Sequence, residues 1–218
     1  MSPFIVYLRR SFISPLASAR EMQVDFYFGP GSRYSYLAAT QLQRLAAETS
    51  ATFRWRPVLS ADLVARTGGK HRSPQEPEYR RKDIERWARY YGVPFAESSE
   101  QIDWRSLALS CVAADHLGAV EGFARALYEA LYGRGEHVTD DRLHRIVMSV
   151  GLDADAFMAL TRSNETAAAY EKNLSDALGA GAFGVPTFVT DDGEVFWGQD
   201  RLPLLRQYLL EGRTALEP

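Results

Sequence analysis

Strand-forming signal is confined to the two ends of the chain. Val24 to Phe28 is a short β-prone run closed by Gly29-Pro30-Gly31, and Thr52 to Val58 alternates Phe53 and Trp55 in strand fashion. The next comparable signal is Phe183 to Thr190, followed by the hairpin turn Asp191-Asp192-Gly193 and a returning run from Glu194 to Trp197. Between these ends the apolar residues follow helical spacing. The two outer pieces are able to share one sheet, so the helical block reads as an insertion within one α/β unit. The expected organisation is a sheet-bearing part over residues 22–60 and 164–218, interrupted by a helical insertion over 61–163.

The helices are placed by their apolar faces and stops. Ser32 stands at an N-cap position, and Ala38, Leu42 and Leu45 then fall at i, i+4 and i+7, an amphipathic helix of about four turns. Within the insertion, Ile84, Trp87, Ala88 and Tyr91 mark one face, stopped by Gly92 and Pro94. Leu107, Cys111 and Ala114 mark a second, Phe123, Leu127 and Leu131 a third, and Leu143, Ile146, Val147 and Val150 a fourth. Asp153 caps a short helix carrying Phe157 and Leu160, and Asn164 is the expected cap of a helix running to Leu178. Arg201 to Leu210 reads as a terminal helix, for which Asp200 is one possible cap.

With 46% hydrophobic and 24% charged residues the chain has ample material for a core, which excludes disorder and collagen-like repetition. No run approaches the roughly 18 to 20 apolar residues that cross a bilayer. Cys111 is the only cysteine, so the chain has no intrachain disulfide, Cys-ligated zinc or two-cysteine redox cycle. Its place on an apolar helical face marks it as core. His71, His116, His137 and His144 lack metal-ligand spacing, and no metal is expected. Between Arg54 and Arg89 ten cations meet five anions, a local +5 in a chain of net charge −3. Such a run attracts an anionic small molecule or simply forms a solvated helix face. The negative total and the lack of basic residues interleaved with aromatics argue against nucleic acid. Residues 1–21 read as a poorly ordered N-terminal extension too short in its apolar run for a secretory signal, with cytoplasm as the expected compartment.

The informative pair of motifs is Ser32-Arg33-Tyr34-Ser35 at a helix start and Val185-Pro186-Thr187 opening a later strand. In the thioredoxin fold these are the places of the redox C-x-x-C and of the cis-proline loop beside it. The run Val24 to Ala38, the central Arg86-Trp87-Ala88-Arg89-Tyr90-Tyr91-Gly92-Val93-Pro94, and Gly181 to Val189 followed by Phe196-Trp197-Gly198-Gln199-Asp200-Arg201-Leu202 together resemble the 2-hydroxychromene-2-carboxylate isomerase family. The kappa-class glutathione transferases share the layout. The likeness extends over about Met22 to Gly212.

That resemblance implies a thioredoxin-like domain with a large all-helical insertion of the DsbA-like kind, glutathione as cofactor, an unsaturated aromatic carboxylate as substrate, and a homodimer. It places Ser32 beside the glutathione sulfur as the catalytic residue. It places the backbone of Val185, before Pro186, against the cysteinyl portion, and Gln199 and Asp200 near the γ-glutamyl end. A thiol has to ionise to act as a nucleophile, and a helix N-terminus with one serine hydroxyl favours the anion. Reversible addition of that thiolate to a ring-opened carboxylate, rotation and elimination then exchange cis and trans with no net use of glutathione. The chain departs from the family at Arg33, where relatives carry proline, and around Gly69 and Glu76, where they carry an Asn-Pro-Pro-like stretch and a lysine. Arg33 and Lys70 are the residues to watch for substrate carboxylate binding. Conjugation in the manner of the kappa transferases, and a non-catalytic peptide-binding module, are the alternatives. Disulfide exchange is contradicted by the hydroxyls of Ser32 and Ser35.

Overall fold

β1 (Gln23–Phe28) and β2 (Thr52–Pro57) run parallel, and α1 (Arg33–Thr49) is the crossover that a parallel pair requires. β3 (Thr187–Thr190) returns antiparallel against β1 and carries the short edge strand β4 (Val195–Trp197), giving the order β2-β1-β3-β4. Strands from both ends of the chain thus share one sheet. This computed structural model describes residues 22–68 and 73–212; the N-terminal extension at 1–21 and Lys70 lie outside the described residues.

Alternation along β1 divides the core in two. Val24, Phe26 and Phe28 point to one face, where the Phe26 ring centroid lies 5.4 Å from Phe28, 4.9 Å from Trp55 and 5.1 Å from Phe188. Tyr27 points to the other face, together with Val58, Val185 and Val189 and with Tyr170, Leu174 and Ala177 of α8 (Asn164–Gly179). Asp25 shares that second side and is held by Arg54 in a two-pronged pair at 2.7 Å and by Arg56 at 3.2 Å.

Between β2 and β3 lie α2 (Ser60–Thr67), α3 (Glu76–Tyr91), α4 (Trp104–His116), α5 (Val120–Tyr128), α6 (Asp140–Ser149), α7 (Ala154–Thr161) and α8. α4 runs through the centre of this block. Cys111 on it is fully buried, and desolvation pushes its thiol well above the usual range, so it packs and does not react. No helix among the described residues is long and apolar enough to cross a membrane.

Three local readings change. Ser163, and not Asn164, caps α8: its backbone is extended (φ −76°, ψ 154°) and its hydroxyl accepts from the Thr166 N–H at 3.1 Å. The Phe123 to Leu131 helix splits, because α5 ends at Tyr128 and continues as a π turn, Glu129–Gly133, closed by an Arg134 N–H bond to the Glu129 carbonyl at 2.9 Å. The terminal helix α9 (Leu202–Glu211) begins one residue late, after a 3-10 turn over Gln199–Arg201, with no side-chain cap. Asp200 is therefore not its cap. The basic run also resolves: on α3, Arg81 meets Glu78 and Glu85, Lys82 meets Glu78, and Arg80 meets Glu76, mostly the i,i+3 and i,i+4 pairs of a solvated helix.

Candidate functional site

The turn that delivers Ser32 is clamped by its surroundings. A Cβ at Gly29 would lie 2.8 Å from the Val58 carbonyl oxygen, and one at Gly31 would lie 2.9 Å from the Trp104 ring, so no side chain fits at either place. The Tyr128 hydroxyl donates to the Gly29 carbonyl at 2.9 Å and the Tyr132 hydroxyl to the Pro30 carbonyl at 3.1 Å. Both tyrosines come from the junction of α5 with the π turn, and burial raises both phenols, which keeps them protonated as donors. Gly29 O has a second partner, the Ser32 N–H at 2.9 Å. Tyr132→Phe should consequently cost more than Tyr128→Phe, about 1–3 kcal/mol for an orphaned buried carbonyl. Urea unfolding of the two variants measures this, and equal or negligible losses would contradict it.

Ser32 has the extended backbone of an N-cap (φ −101°, ψ 109°), and its Oγ accepts from the Ser35 N–H at 3.1 Å. Its own proton is directed at the Val185 carbonyl at 3.4 Å, long for a hydroxyl donor, whose usual distance is about 2.7–2.8 Å. The N-cap reading and the functional reading thus use different parts of one hydroxyl. The lone pair is committed to the helix, while the hydrogen is weakly held. Val185-Pro186 is a cis peptide bond, and among the described residues the Val185 N–H has no acceptor. Ser35, one turn further into α1, is completely buried, so of the two serines only Ser32 faces the opening.

That opening is a cleft of about 820 Å³, and it gathers Ser32, Arg33, Val185, Pro186, Gln199 and Asp200 on its walls. The Gly198 N–H donates to the Pro186 carbonyl at 2.9 Å, which fastens the Gln199–Asp200 turn to the cis-proline loop. Gln199 is buried, with its backbone and side-chain oxygens each 3.3 Å from the Tyr91 hydroxyl, a phenol that burial pushes up to about 12. Asp200 is exposed and pairs with Arg201 at 2.8 Å. Arg33 lines the cleft but is not free there: it is paired with Glu97.

Sequence reasoning missed the contribution of α3 and two aromatics beside the cis-proline. Glu76, Arg80, Asp83 and Trp87 line the cleft from α3, where the sequence marked Glu76 only as a departure from the family, Arg80 and Asp83 only as part of a charged run, and Trp87 only as part of an apolar face. The Tyr34 hydroxyl donates to Asp83 at 2.9 Å, and burial together with that carboxylate raises the phenol. Phe183 and Trp197 pack with tilted rings, centroids 4.6 Å apart, on the wall by Pro186, and Gly184 is small because a Cβ there would lie 2.8 Å from the indole nitrogen. The i, i+3, i+7 spacing of Arg80, Asp83 and Trp87 was the available signal for α3.

The chain matches the DSBA-like thioredoxin domain over residues 23–210. It is 36% identical over 195 residues to a 2-hydroxychromene-2-carboxylate isomerase of Sphingobium xenophagum, an alignment that takes in 86% of this chain and 98% of the relative. It is 26% identical over 208 residues to Glutathione s-transferase kappa 2 of Caenorhabditis elegans, with 86% and 92% of the two chains covered. Among solved structures, a 2-hydroxychromene-2-carboxylate isomerase superposes with a TM-score of 0.78 at 27% identity, over 90% of this chain and 100% of the other.

Proposed function

The chain belongs to the DSBA-like thioredoxin family and to the 2-hydroxychromene-2-carboxylate isomerases, and from that premise we propose that it is a glutathione-dependent cis-trans isomerase of an unsaturated aromatic carboxylate. One observation carries the reading: a serine hydroxyl at the start of α1, its Oγ 3.4 Å from the Val185 carbonyl oxygen beside a cis-proline and its proton so only loosely held, opens onto a large cleft. The residues present fit a small thiol peptide. The Val185 N–H, without an acceptor among the described residues, gives an extended ligand a backbone partner, as an added strand would find. Asp200, exposed on the same cleft, supplies the anion for an α-ammonium group, and the buried Gln199 fixes the turn that carries it.

Glutathione, when bound, supplies the thiol that adds reversibly to a conjugated double bond. The chain's part is to keep that sulfur ionised and placed. Ser32 turns its hydrogen from Val185 toward the sulfur while its lone pair stays on Ser35 N–H, so the helix start is undisturbed. The Arg33 and Tyr34 N–H groups of the first turn have no acceptor among the described residues, and with the α1 dipole they favour negative charge there. The site uses no ionisable group of its own as nucleophile, which fits the burial of Cys111.

Reduced glutathione should raise the melting temperature, since a ligand that binds only the folded chain stabilises it by about 2.7 kcal/mol at a hundred times its dissociation constant. For a chain of this size that is a rise of about 5–10 °C. No shift at several millimolar glutathione would reject the reading in favour of a non-catalytic peptide-binding module. The kappa relative keeps conjugation as the second enzymatic reading; an aromatic halide separates the two, because a transferase leaves a stable thioether.

A further inference from the structure

Three arginines reach the cleft, and each already lies on a carboxylate: Arg33 on Glu97, Arg201 on Asp200, and Arg80 on Glu76 at 2.8 Å. An anionic substrate has to take one of these guanidinium groups from its partner, and the geometry ranks them. Glu97 is not among the cleft-lining residues, so Arg33 is drawn toward the outside. Arg201 and Asp200 are chain neighbours on the turn that the proposed function gives to glutathione. Arg80 and Glu76 differ from both, because both partners line the cleft and they form an i,i+4 pair on the surface of α3, 40% and 28% exposed. Exposed pairs of this kind are weak and exchange readily.

α3 also supplies what an aromatic acid needs besides a cation. Arg80, Asp83 and Trp87 share one face of the helix, and all three line the cleft. Asp83 is committed to the Tyr34 hydroxyl, which leaves the guanidinium and the half-buried indole as the available pair. They are seven residues apart, about 10 Å along the axis, comparable to an aryl ring carrying a conjugated carboxylate tail.

We infer that Arg80 and Trp87 form the subsite of the unsaturated aromatic acid itself: Arg80 exchanges Glu76 for the substrate carboxylate, and Trp87 receives the ring. Glu76 then acts as an internal competitor that holds the guanidinium in place while no substrate is bound. The inference rests on the proposed function for the identity of the acid, and its test is a binding measurement that needs no turnover.

Calorimetric titration of 2-hydroxychromene-2-carboxylate, and of its methyl ester, into the full chain and its variants reads the subsite directly. Arg80→Gln should weaken binding of the acid at least tenfold and leave that of the ester within twofold, while Glu76→Gln should tighten binding of the acid severalfold. Trp87→Leu should weaken acid and ester alike. An Arg80→Gln protein that binds the acid as the parent does, or a parent that does not bind it at millimolar concentration, overturns the inference. So does an Arg80→Gln protein that loses its thermal shift with glutathione, because the arginine would then serve a carboxylate of the tripeptide. Absence of any glutathione shift in the parent strikes the proposed function instead, and the acid titration still decides the role of Arg80.

Discussion

Replacement of Ser32 by alanine should leave the fold intact and lower turnover about 100- to 1000-fold, the range observed when a single preorganised hydrogen-bond donor to a developing anion is removed. The two effects separate because they involve different parts of the side chain. As a helix cap, the Oγ lone pair on the Ser35 N–H is worth about 1 kcal/mol, which shifts stability slightly and cannot empty the folded state. As a donor, the Ser32 hydroxyl, its Oγ 3.4 Å from the Val185 carbonyl oxygen, is the only side-chain hydroxyl at the start of α1 that lines the cleft beside the cis-proline among the described residues, and the first-turn N–H groups remain in the variant. Loss of the donor raises the pKa of the bound thiol, so the pH at which activity appears should move upward with the rate. Steady-state rates across pH, set beside a urea melt of the same protein, measure both quantities. Full turnover in the variant, or a loss of activity wholly matched by unfolding, would end the assignment.

The largest loss of stability is expected at Phe26. Its ring is fully buried in the strand at the centre of the sheet and packs against Phe28, Trp55 and Phe188, which come from three different strands. Truncation to alanine removes the one ring in contact with all three and leaves Phe28 and Trp55, 5.3 Å apart, facing a hole toward Phe188 that rings fixed on their own strands cannot close. The cost is about 3–5 kcal/mol, a fall of about 6–20 °C in melting temperature. Because β1 leads directly into the glycine turn before Ser32, glutathione binding should weaken in the same protein. A change below 1 kcal/mol in urea or thermal unfolding would mean that this cluster is not the centre of the core.

Much of the architecture was readable from local chemistry. The Gly29-Pro30-Gly31 stop, Ser32 as a cap, the Asp191-Asp192-Gly193 turn and the apolar spacing of the helices all follow from backbone preferences within a few residues. The changes arose where longer-range packing set the choice. Leu131 has helical spacing, yet the chain widens into a π turn there, and Tyr128 and Tyr132 on either side of it reach the Gly29 and Pro30 carbonyls about a hundred residues earlier. Asp200 was read as facing a ligand, with capping of the terminal helix as the alternative, and only the 3-10 turn removed that second role. Arg33 looked available for an anion until Glu97, 64 residues away, was placed beside it.

Taken alone, the sequence determined that strands from both ends are able to share a sheet, that two-cysteine redox chemistry is closed to a chain with one cysteine, and that a hydroxyl stands where thioredoxin-like proteins carry a thiol. These are statements about residue type and short-range order, which composition and periodicity encode directly. The tertiary structure alone decided which charges are already neutralised, which tyrosines hold the serine turn, and that Arg80, Asp83 and Trp87 of α3 line the same cleft as Ser32. Such relations depend on distances between segments far apart in the chain, and no local pattern records them, because each residue would satisfy its own helix equally well whichever neighbour it met.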